Sequence, residues 1–339
     1  MANETGSSFH ENETDSENND DLITQYPDGT NRSIFVVDAS EEGIRLDVFL
    51  SRKMGVTRSY TQKLIDRGNV NVGGGNNNVK PSLKVKPLMV FTVNVPPPQK
   101  LEILPEPVEF SVIHEDDDVL VINKPAGLVV HPAPGNLYHT LVHGLLFRYP
   151  DIGLFNNVIR PGIVHRLDST TSGLMVVARN ITAMEKLQMQ FRTRKIEKIY
   201  LALITGKPKR ISGELDLPIG RDPVNRCRMA VTPSGKASLT SYELLWSRKR
   251  FSLVKCQLHS GRTHQIRVHF KYIGCPLIGD KLYGFKNRTL GNLTLNRVFL
   301  HSWKLKFNHP VSGKELEFTQ PLSDDLVDLL QALLSRDEG

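Results

Sequence analysis

Apolar residues recur along most of the chain in two spacings, and each spacing predicts one kind of secondary structure. Helical spacing predicts helices at 44–54, 60–67, 140–148, 182–192, 266–273 and 323–334. Short apolar runs predict strands at 70–72, 84–86, 89–95, 119–123, 128–130, 163–164, 174–178, 199–205, 239–246, 251–258, 298–307 and 316–319. This pattern predicts an α+β fold with a large mixed or antiparallel sheet flanked by helices.

Composition divides the chain into four segments. Residues 1–33 are rich in Asn, Glu, Asp and Ser and have few apolar residues, so we expect a disordered acidic tail. Residues 34–97 predict a small domain of two helices and short strands. The proline-rich segment 98–107 predicts a stiff linker, and 108–335 predicts a second, larger domain.

The charge distribution indicates which kind of partner the protein binds. Residues 1–28 hold eight acidic residues and no Lys or Arg, which leaves 43 basic against 28 acidic residues and a net charge of +15 for 29–339. Such a basic body favours a polyanionic partner, although ordinary solvated lysines are the alternative. In the small domain, six cations lie on helix faces that the core does not need: Arg45, Arg52, Lys53, Arg58, Lys63 and Arg67.

Compartment follows from two further observations. No apolar run approaches the roughly 18 residues that a membrane span needs, and the first residues lack a signal-peptide pattern. The three cysteines, Cys227, Cys256 and Cys275, are widely spaced and contain no Cys-x-x-Cys motif. This usage is typical of a reducing compartment, so we expect a cytoplasmic protein without a membrane partner.

One polar loop lies between two predicted buried strands, at 163–164 and 174–178. It carries His165, Arg166 and Asp168, followed by three hydroxyl residues. A loop presented by rigid strands commonly positions chemistry. The same residues also fit an ordinary turn in which Asp168 caps the backbone and Arg166 is solvated, and the local pattern leaves both interpretations open.

The sequence lacks the motifs of several common kinds of catalytic site. His259, His264 and His269 are spaced by five, which gathers them onto one face of neither a helix nor a strand, and there is no His-Glu-x-x-His motif. There is also no Gly-x-Ser-x-Gly elbow, no second acid in a setting comparable to that of Asp168, and no dinucleotide-binding Gly-x-Gly-x-x-Gly. We therefore expect no metal, nucleotide or redox cofactor.

Two residues downstream can complement a lone carboxylate. Arg262 lies at the apex of a predicted strand-to-helix turn, where a guanidinium can hold a carboxylate bidentately. Tyr200 lies near the start of a predicted strand and offers a ring on which a base can stack. Taken singly, Arg262 is equally well a salt bridge at a helix start, and Tyr200 a half-buried strand residue.

Five motifs occur in an order that resembles the RluA/RluD family of pseudouridine synthases. They are NKPAGLVVHP at 123–132, HRLD at 165–168 followed by TSGL at 171–174, KIYLAL at 198–203, GRTHQIRVH at 261–269, and PLIGDKLYG at 276–284. The basic helical segment, RLDVFL at 45–50 with TRSYTQKLIDRGNVNV at 57–72, resembles an S4 domain, a small RNA-binding module. The likeness covers roughly residues 44–320 and is closest to the RluD type. A basic helical hairpin that merely supports the next domain is the alternative for the first segment.

The resemblance implies a role for each matched residue. Asp168 is expected to be the catalytic aspartate, Tyr200 to stack on the target uracil, and Arg262 to pair with Asp168. Arg166 is expected to displace the uridine from its stack, with His165 beside it shaping the same loop. Lys124, in the first motif, is expected to bind phosphate or to be structural, and the six cations of the S4-like segment to bind RNA.

The implied reaction breaks the C1′–N1 bond of uridine and rejoins the base through C5. Whether Asp168 attacks C1′, attacks the base or removes a sugar proton is open. The implied partner is large-subunit ribosomal RNA or its precursor, bound by a monomer. A sibling enzyme acting on other ribosomal or transfer RNA uridines, or a non-catalytic ribosome-assembly factor, are the alternatives.

Overall fold

The computed structural model describes residues 24–25, 31–73, 79–96, 103–133, 135–153, 161–225, 228–248, 250–286 and 290–335. Two compact units are present, Met1–Lys100 and Leu101–Gly339. The boundary between them in the sequence falls inside the segment predicted as a linker, whose residues 98–102 lie outside the described residues. Most of the predicted acidic tail, together with Cys227, also lies outside them.

The first unit packs two helices against a small antiparallel sheet. Its strands are β1 (Thr24–Gln25), β2 (Asn31–Val36), β3 (Val70–Val72) and β4 (Val90–Val95), in the order β1-β2-β4-β3. Its helices are α1 (Leu46–Lys53) and α2 (Arg58–Asp66). The apolar stripe of α1 supplies Leu46, Phe49 and Leu50 to the core, all fully buried. The Thr57 hydroxyl begins α2 by accepting the backbone N–H of Tyr60 at 3.3 Å.

Two details of the first unit differ from the sequence predictions. The predicted tail at 1–33 is too long, because β2 begins at Asn31 and pairs with β4 along its whole length. That strand went unpredicted because its first three residues are polar and its three apolar residues, 34–36, come together at its end. The predicted strand at 84–86 is a single bridge from Lys84 to Arg45.

The second unit is built on a nine-stranded sheet. Its strands are β5 (Ser111–Glu115), β6 (Val119–Lys124), β7 (Ser172–Ala178), β8 (Glu197–Thr205), β9 (Ser212–Asp216), β12 (Leu239–Arg248), β13 (Phe251–Leu258), β14 (Leu300–Asn308) and β15 (Glu315–Thr319), while β10 (Ile219–Arg221) and β11 (Met229–Val231) form a separate hairpin. The helices are α3 (Leu141–Arg148), α4 (Ile181–Arg192), α5 (Gln265–Tyr272) and α6 (Asp324–Ser335). The strand order is β5-β6-β7-β14-β8-β13-β12-β9, with β15 on β14. Among the strands of the described residues, β7 and β14 are the one parallel pair. The predicted α+β fold with a mixed sheet is confirmed.

The apolar patterns located most of the strands, including the half-exposed β15, but three of the other predictions differ from the structure. The predicted strand at 128–130 is irregular chain, and the predicted strand at 163–164 is one bridge from Ile163 to Val177. Strand β5 went unpredicted because exposed and half-exposed residues alternate along it. Within the described residues, no helix combines the length and apolarity that crossing a membrane requires.

Strand β14 aligns the loop that carries Asp168 with the strand that carries Tyr200. Ser302 is the register partner of Gly173 on one side and of Tyr200 on the other. Gly173 permits this approach, since its φ is +110° and a Cβ atom there would lie 2.3 Å from the Ser302 carbonyl oxygen. The glycine that follows the HRLD loop is therefore a packing requirement of the β7–β14 pair.

Candidate active site

The loop that carries Asp168 is held from both ends by backbone and core contacts. Leu167 is buried in the main hydrophobic core, and the carbonyl of Asp168 accepts the N–H of Thr171 at 3.1 Å. The next carbonyl, of Ser169, accepts the N–H of Gly127 at 2.7 Å. The Asp168 side chain is thus presented from a fixed turn, 19% exposed.

Asp168 is paired with Arg267, which is itself held by a second aspartate. Arg267 donates through Nη1 to Oδ2 of Asp168 at 3.1 Å, and through Nε and Nη2 to both oxygens of Asp280 at 2.7 and 2.9 Å. Asp280 is 1% exposed and also accepts the N–H of Tyr283. Burial alone would lower the pKa of Arg267, but the carboxylates of Asp280 and Asp168 raise it above its usual range. The fork geometry of guanidinium is what allows one side chain to bridge two acids.

The predicted pairing of Arg262 with Asp168 is wrong. The Arg262 side chain is exposed, and the contact that the structure shows for it is a 3.4 Å hydrogen bond from Nε to the carbonyl of Ala237. Both arginines belong to the motif at 261–269, but Arg267 is the third residue of α5 and is turned inward. Arg262 precedes the helix, and its backbone N–H is held by the buried Gln265 side chain at 3.0 Å.

His264 completes the charged surroundings of Asp168. Its Nε2 lies 3.8 Å from Asp168 Oδ2, and its Nδ1 lies 2.9 Å from the hydroxyl of Tyr283. His264 adopts a left-handed backbone conformation with a φ of 58°, directly before α5. Burial lowers the pKa of His264, which favours a neutral ring beside the aspartate.

A narrow cavity of about 50 Å³ opens on Asp168, Arg267, Tyr200 and Thr171. Among the described residues, the contacts to the Asp168 carboxylate all engage Oδ2, so Oδ1 accepts no hydrogen bond. The hydroxyl of Thr171 is buried and likewise has no hydrogen-bond partner there. One carboxylate oxygen and one hydroxyl are therefore available to a molecule that enters the cavity.

Tyr200 supplies a ring to this cavity, at the edge of the core. It is 5% exposed, and burial raises its pKa, so the phenol stays neutral. Arg166 is exposed and lies at the cavity wall. The sequence-predicted Asp168, Tyr200, Arg166 and Arg262 thus line one cavity, although the role of each remains a proposal.

His165 faces away from the reacting groups. Its Nε2 accepts the backbone N–H of Val176 at 3.0 Å, and its ring stacks on Phe191 with centroids 4.7 Å apart. Burial lowers the pKa of His165 to about 3, and the neighbouring Lys198 lowers it as well. A neutral ring tied to β7 is suited to shaping the loop.

The predicted RNA contact through Lys124 is wrong. Lys124 is 0% exposed, and its Nζ donates to the carbonyls of Pro125, Leu128 and Ser169 at 2.7, 2.8 and 3.2 Å. These three acceptors occupy all three ammonium hydrogens. Burial lowers the pKa of Lys124 to about 7. Lys124 joins the first motif to the Asp168 loop and belongs to the fold, the structural alternative given above.

In the first unit, a buried aspartate organises part of the predicted basic surface. Asp47 is 0% exposed and accepts from Arg45 Nε at 3.1 Å, Arg58 Nε at 2.9 Å and Gln62 Nε2 at 2.6 Å. Burial alone would raise the pKa of Asp47, but these hydrogen bonds from Arg45, Gln62 and Arg58 hold it well below its usual range. Arg45 and Arg58 stay about half exposed, so both guanidiniums are fixed at the surface.

The other predicted cations of this surface are also accessible. Lys53 lies 3.3 Å from Glu41 and 3.8 Å from Asp38, which partly neutralise it. Arg52, Lys63 and Arg67 are exposed. Binding of RNA by this face remains a prediction.

One group of potential metal ligands lies within the described residues, at Asp116, Asp118 and His309. The Nδ1 atom of His309 accepts the backbone N–H groups of Val311 and Ser312 at 3.2 and 3.1 Å. The proton of a neutral ring is therefore on Nε2, which faces Asp116 at 3.3 Å. A metal would need that Nε2 lone pair, so the group is better suited to the contact between His309 and Asp116 than to a metal ion.

Comparisons with known proteins identify the family of this chain. The family model described as RNA pseudouridylate synthase matches residues 118–272. "Uncharacterized RNA pseudouridine synthase YlyB" of Bacillus subtilis is 44% identical over 300 residues, covering 88% of this chain and 97% of the relative. "Ribosomal large subunit pseudouridine synthase D" of Zymomonas mobilis is 39% identical over 300 residues, covering 86% and 94%. Among solved structures, human RNA pseudouridylate synthase domain containing 1 matches with a TM-score of 0.51 and 27% identity, over 68% of this chain and 96% of that one.

An aspartate held by an arginine, with a tyrosine ring in the same cavity, is the kind of arrangement that the resemblance to an RNA-modifying enzyme implies. The chain belongs to the RluA/RluD family of RNA pseudouridine synthases. It is an isomerase that converts uridine in RNA into pseudouridine. The resemblance drawn from the five motifs is confirmed.

Sequence reasoning missed three members of the charged cluster: Arg267, Asp280 and His264. All three stand inside motifs that had been recognised, at 261–269 and 276–284. The available signal was helical phase, since a charged residue among Ile266, Val268 and Phe270 is unusual unless it has a buried partner. Asp280 was the acid nearest to that helix in the sequence.

Proposed function

We propose that this enzyme isomerises uridines of large-subunit (23S) ribosomal RNA. Relatives named for the large ribosomal subunit, at 39% and 37% identity, support this substrate. The exposed guanidiniums of Arg45 and Arg58 support the proposal that the first unit is an S4 domain and binds RNA. A complete cluster within one chain supports a monomer, and a ribosomal RNA substrate supports work in the cytoplasm.

The observation that carries the proposed mechanism is the asymmetry of the Asp168 carboxylate. Arg267 holds Oδ2, whereas Oδ1 accepts no hydrogen bond from the described residues, and Asp168 lines the cavity. Cleavage of the C1′–N1 bond develops positive charge on the ribose, which an adjacent carboxylate stabilises or captures. We assign Asp168 this catalytic role and leave its first bond-making step open.

The uracil must leave the RNA stack to reach Asp168. We propose that Tyr200 offers the ring on which it stacks, and that the exposed Arg166 occupies the space it leaves. The cavity of about 50 Å³ is narrow, so its exposed wall at Arg166 has to move outward when the base enters. Detached uracil then stays enclosed between Tyr200 and Leu300 while it turns.

Mapping of pseudouridines tests the proposal. Total RNA is compared from cells that lack the protein and from the same cells complemented with wild type or with Asp168→Asn. We expect specific 23S sites to vanish in the deletion and to return with wild type only. Persistence of every 23S site in the deletion would refute the substrate, and loss of other ribosomal or transfer RNA sites would identify a sibling specificity. Restoration by Asp168→Asn would refute the catalytic assignment.

A further inference from the structure

A second pocket, of about 460 Å³, adjoins the Asp168 cavity and shares Arg166, Tyr200 and Arg262 with it. It is lined by five cations and no carboxylate: Arg166, Arg192, Arg194, Lys198 and Arg262. We call it the basic pocket. Low-dielectric walls and charges of one sign concentrate a positive potential in such a space.

Lys198 is the least solvated of these cations. It is half-buried, and its Nζ lies 5.7 Å from the centre of the Phe191 ring. Within the described part of the chain, no carboxylate contacts Lys198. The charged group that acts on its pKa is Arg194, which carries a charge of the same sign. Burial lowers the pKa of Lys198 to about 8, and Arg194 lowers it as well. A desolvated ammonium without an anion is costly for folding, which indicates that an anion completes the site from outside.

The position of Lys198 connects the basic pocket to the reaction. Lys198 and Tyr200 are two residues apart on β8, so both side chains leave the same face of the sheet. At the end of α4, Arg194 adopts a left-handed backbone conformation with a φ of 58°, and its N–H bonds to the carbonyl of Phe191. This turn brings Arg192 and Arg194 to the rim of the same pocket.

We propose that the basic pocket binds the RNA backbone phosphate next to the target uridine, with Lys198 as its direct ionic contact. The inference rests on the proposed function, because a strand that delivers its uridine to Asp168 must pass an adjacent phosphate through the contiguous pocket. The stacked pair of His165 and Phe191 forms the apolar wall beneath that phosphate and its ribose.

The first test measures the salt dependence of binding between the full-length protein and a single-stranded oligouridine. Each phosphate contact on a single strand contributes a slope of about 0.7 in log Kd against log salt concentration. We expect Lys198→Met to reduce the slope by about this amount and to weaken binding several-fold at low salt. The matched control is Lys186→Met on the exposed side of α4, outside the pocket, which keeps the wild-type slope. A wild-type slope in Lys198→Met overturns the proposal.

A second variant guards against misfolding. Arg192→Gln changes an exposed rim residue and is expected to lower the slope as well. Thermal unfolding of Lys198→Met is expected at or above the wild-type temperature, because an unpaired, partly desolvated charge is removed. If Lys198→Met melts well below wild type and Arg192→Gln keeps the wild-type slope, the pocket is structural and the proposal fails.

Turnover on ribosomal RNA separates this inference from the proposed function. If both hold, Lys198→Met raises KM several-fold while kcat stays within about threefold of wild type, as expected for uniform binding energy. If wild type modifies no ribosomal RNA but the slope falls in Lys198→Met, the proposed substrate fails and the phosphate contact stands. If wild type modifies ribosomal RNA and the slope is unchanged, only the phosphate contact is refuted.

Discussion

Replacement of Arg267 by lysine is the sharpest test of the Asp168 site. Arg267 makes three charge-assisted hydrogen bonds, one to Asp168 and two to Asp280. A lysine keeps the positive charge, but its three N–H donors share one nitrogen, so it cannot reproduce the guanidinium fork that pairs with both oxygens of Asp280 and also reaches Asp168. The substitution therefore removes geometry while it preserves charge.

The magnitude follows from the bonds that are lost. A hydrogen bond to a charged group contributes about 1.5–3 kcal/mol. A lysine that retains one of the three contacts loses two, and Asp280, 1% exposed, is left with incomplete pairing. We expect the free energy of unfolding to fall by about 3 kcal/mol, within the range for disrupted buried pairs. For a unit of this size that corresponds to a melting temperature lower by about 6–12 °C.

Activity should fall by at least about 100-fold, because about 3 kcal/mol of transition-state stabilisation corresponds to two orders of magnitude. The assay is single-turnover pseudouridine formation at a temperature at which both proteins are folded. The matched control is Arg262→Lys, the same change in the same motif at an exposed arginine, for which we expect less than about a tenfold loss. A larger loss in Arg262→Lys than in Arg267→Lys would refute the assignment of the ion pair.

Three further outcomes are expected. Thr171→Val should lower kcat/KM about tenfold with unchanged or higher stability, because it removes a buried, unpaired hydroxyl at the cavity. The unpaired hydroxyl of Thr170 is not at the cavity, so an equal loss of kcat/KM in Thr170→Val would contradict this prediction. Gly173→Ala should destabilise by about 1–3 kcal/mol through its clash with β14, whereas Gly313→Ala, with a similar positive φ but open space, should cost less in the same melting assay. Because folding lowers the pKa of Asp47, the contribution of its carboxylate to stability is present above the unfolded value of about 3.9 and is lost as pH falls below it. Acid titration of Asp47→Asn should therefore show a smaller loss of stability between about pH 4 and 2 than wild type does. An equal loss of stability in the two proteins would exclude this source of acid sensitivity.

The sequence by itself determined the class of fold and the class of enzyme. Periodicity located the strands buried on both faces, such as β7, because every residue of that strand is apolar or small and fully buried. Helix α5 followed from its motif and spacing, and the five motifs named the family. Strand β5, at the edge of the sheet, went unpredicted, since solvent accepts polar residues along an exposed face. Strand β15, with the same alternation of exposure, was predicted from its apolar Leu316 and Phe318.

Only the tertiary structure decided which residues of the site contact one another. Asp168 and Arg267 are 99 residues apart in sequence, and their contact depends on the helical phase of α5 relative to a loop across the sheet. Helical phase hinted that Arg267 is buried but could not identify its partners, and local spacing did not distinguish the half-buried Lys198 from the fully buried Lys124, because both are basic residues within recognised motifs. Ion pairs and burial are properties of the packed chain, so the pairing of Arg267, the fold role of Lys124 and the basic pocket at Lys198 appeared only once the sheet was assembled.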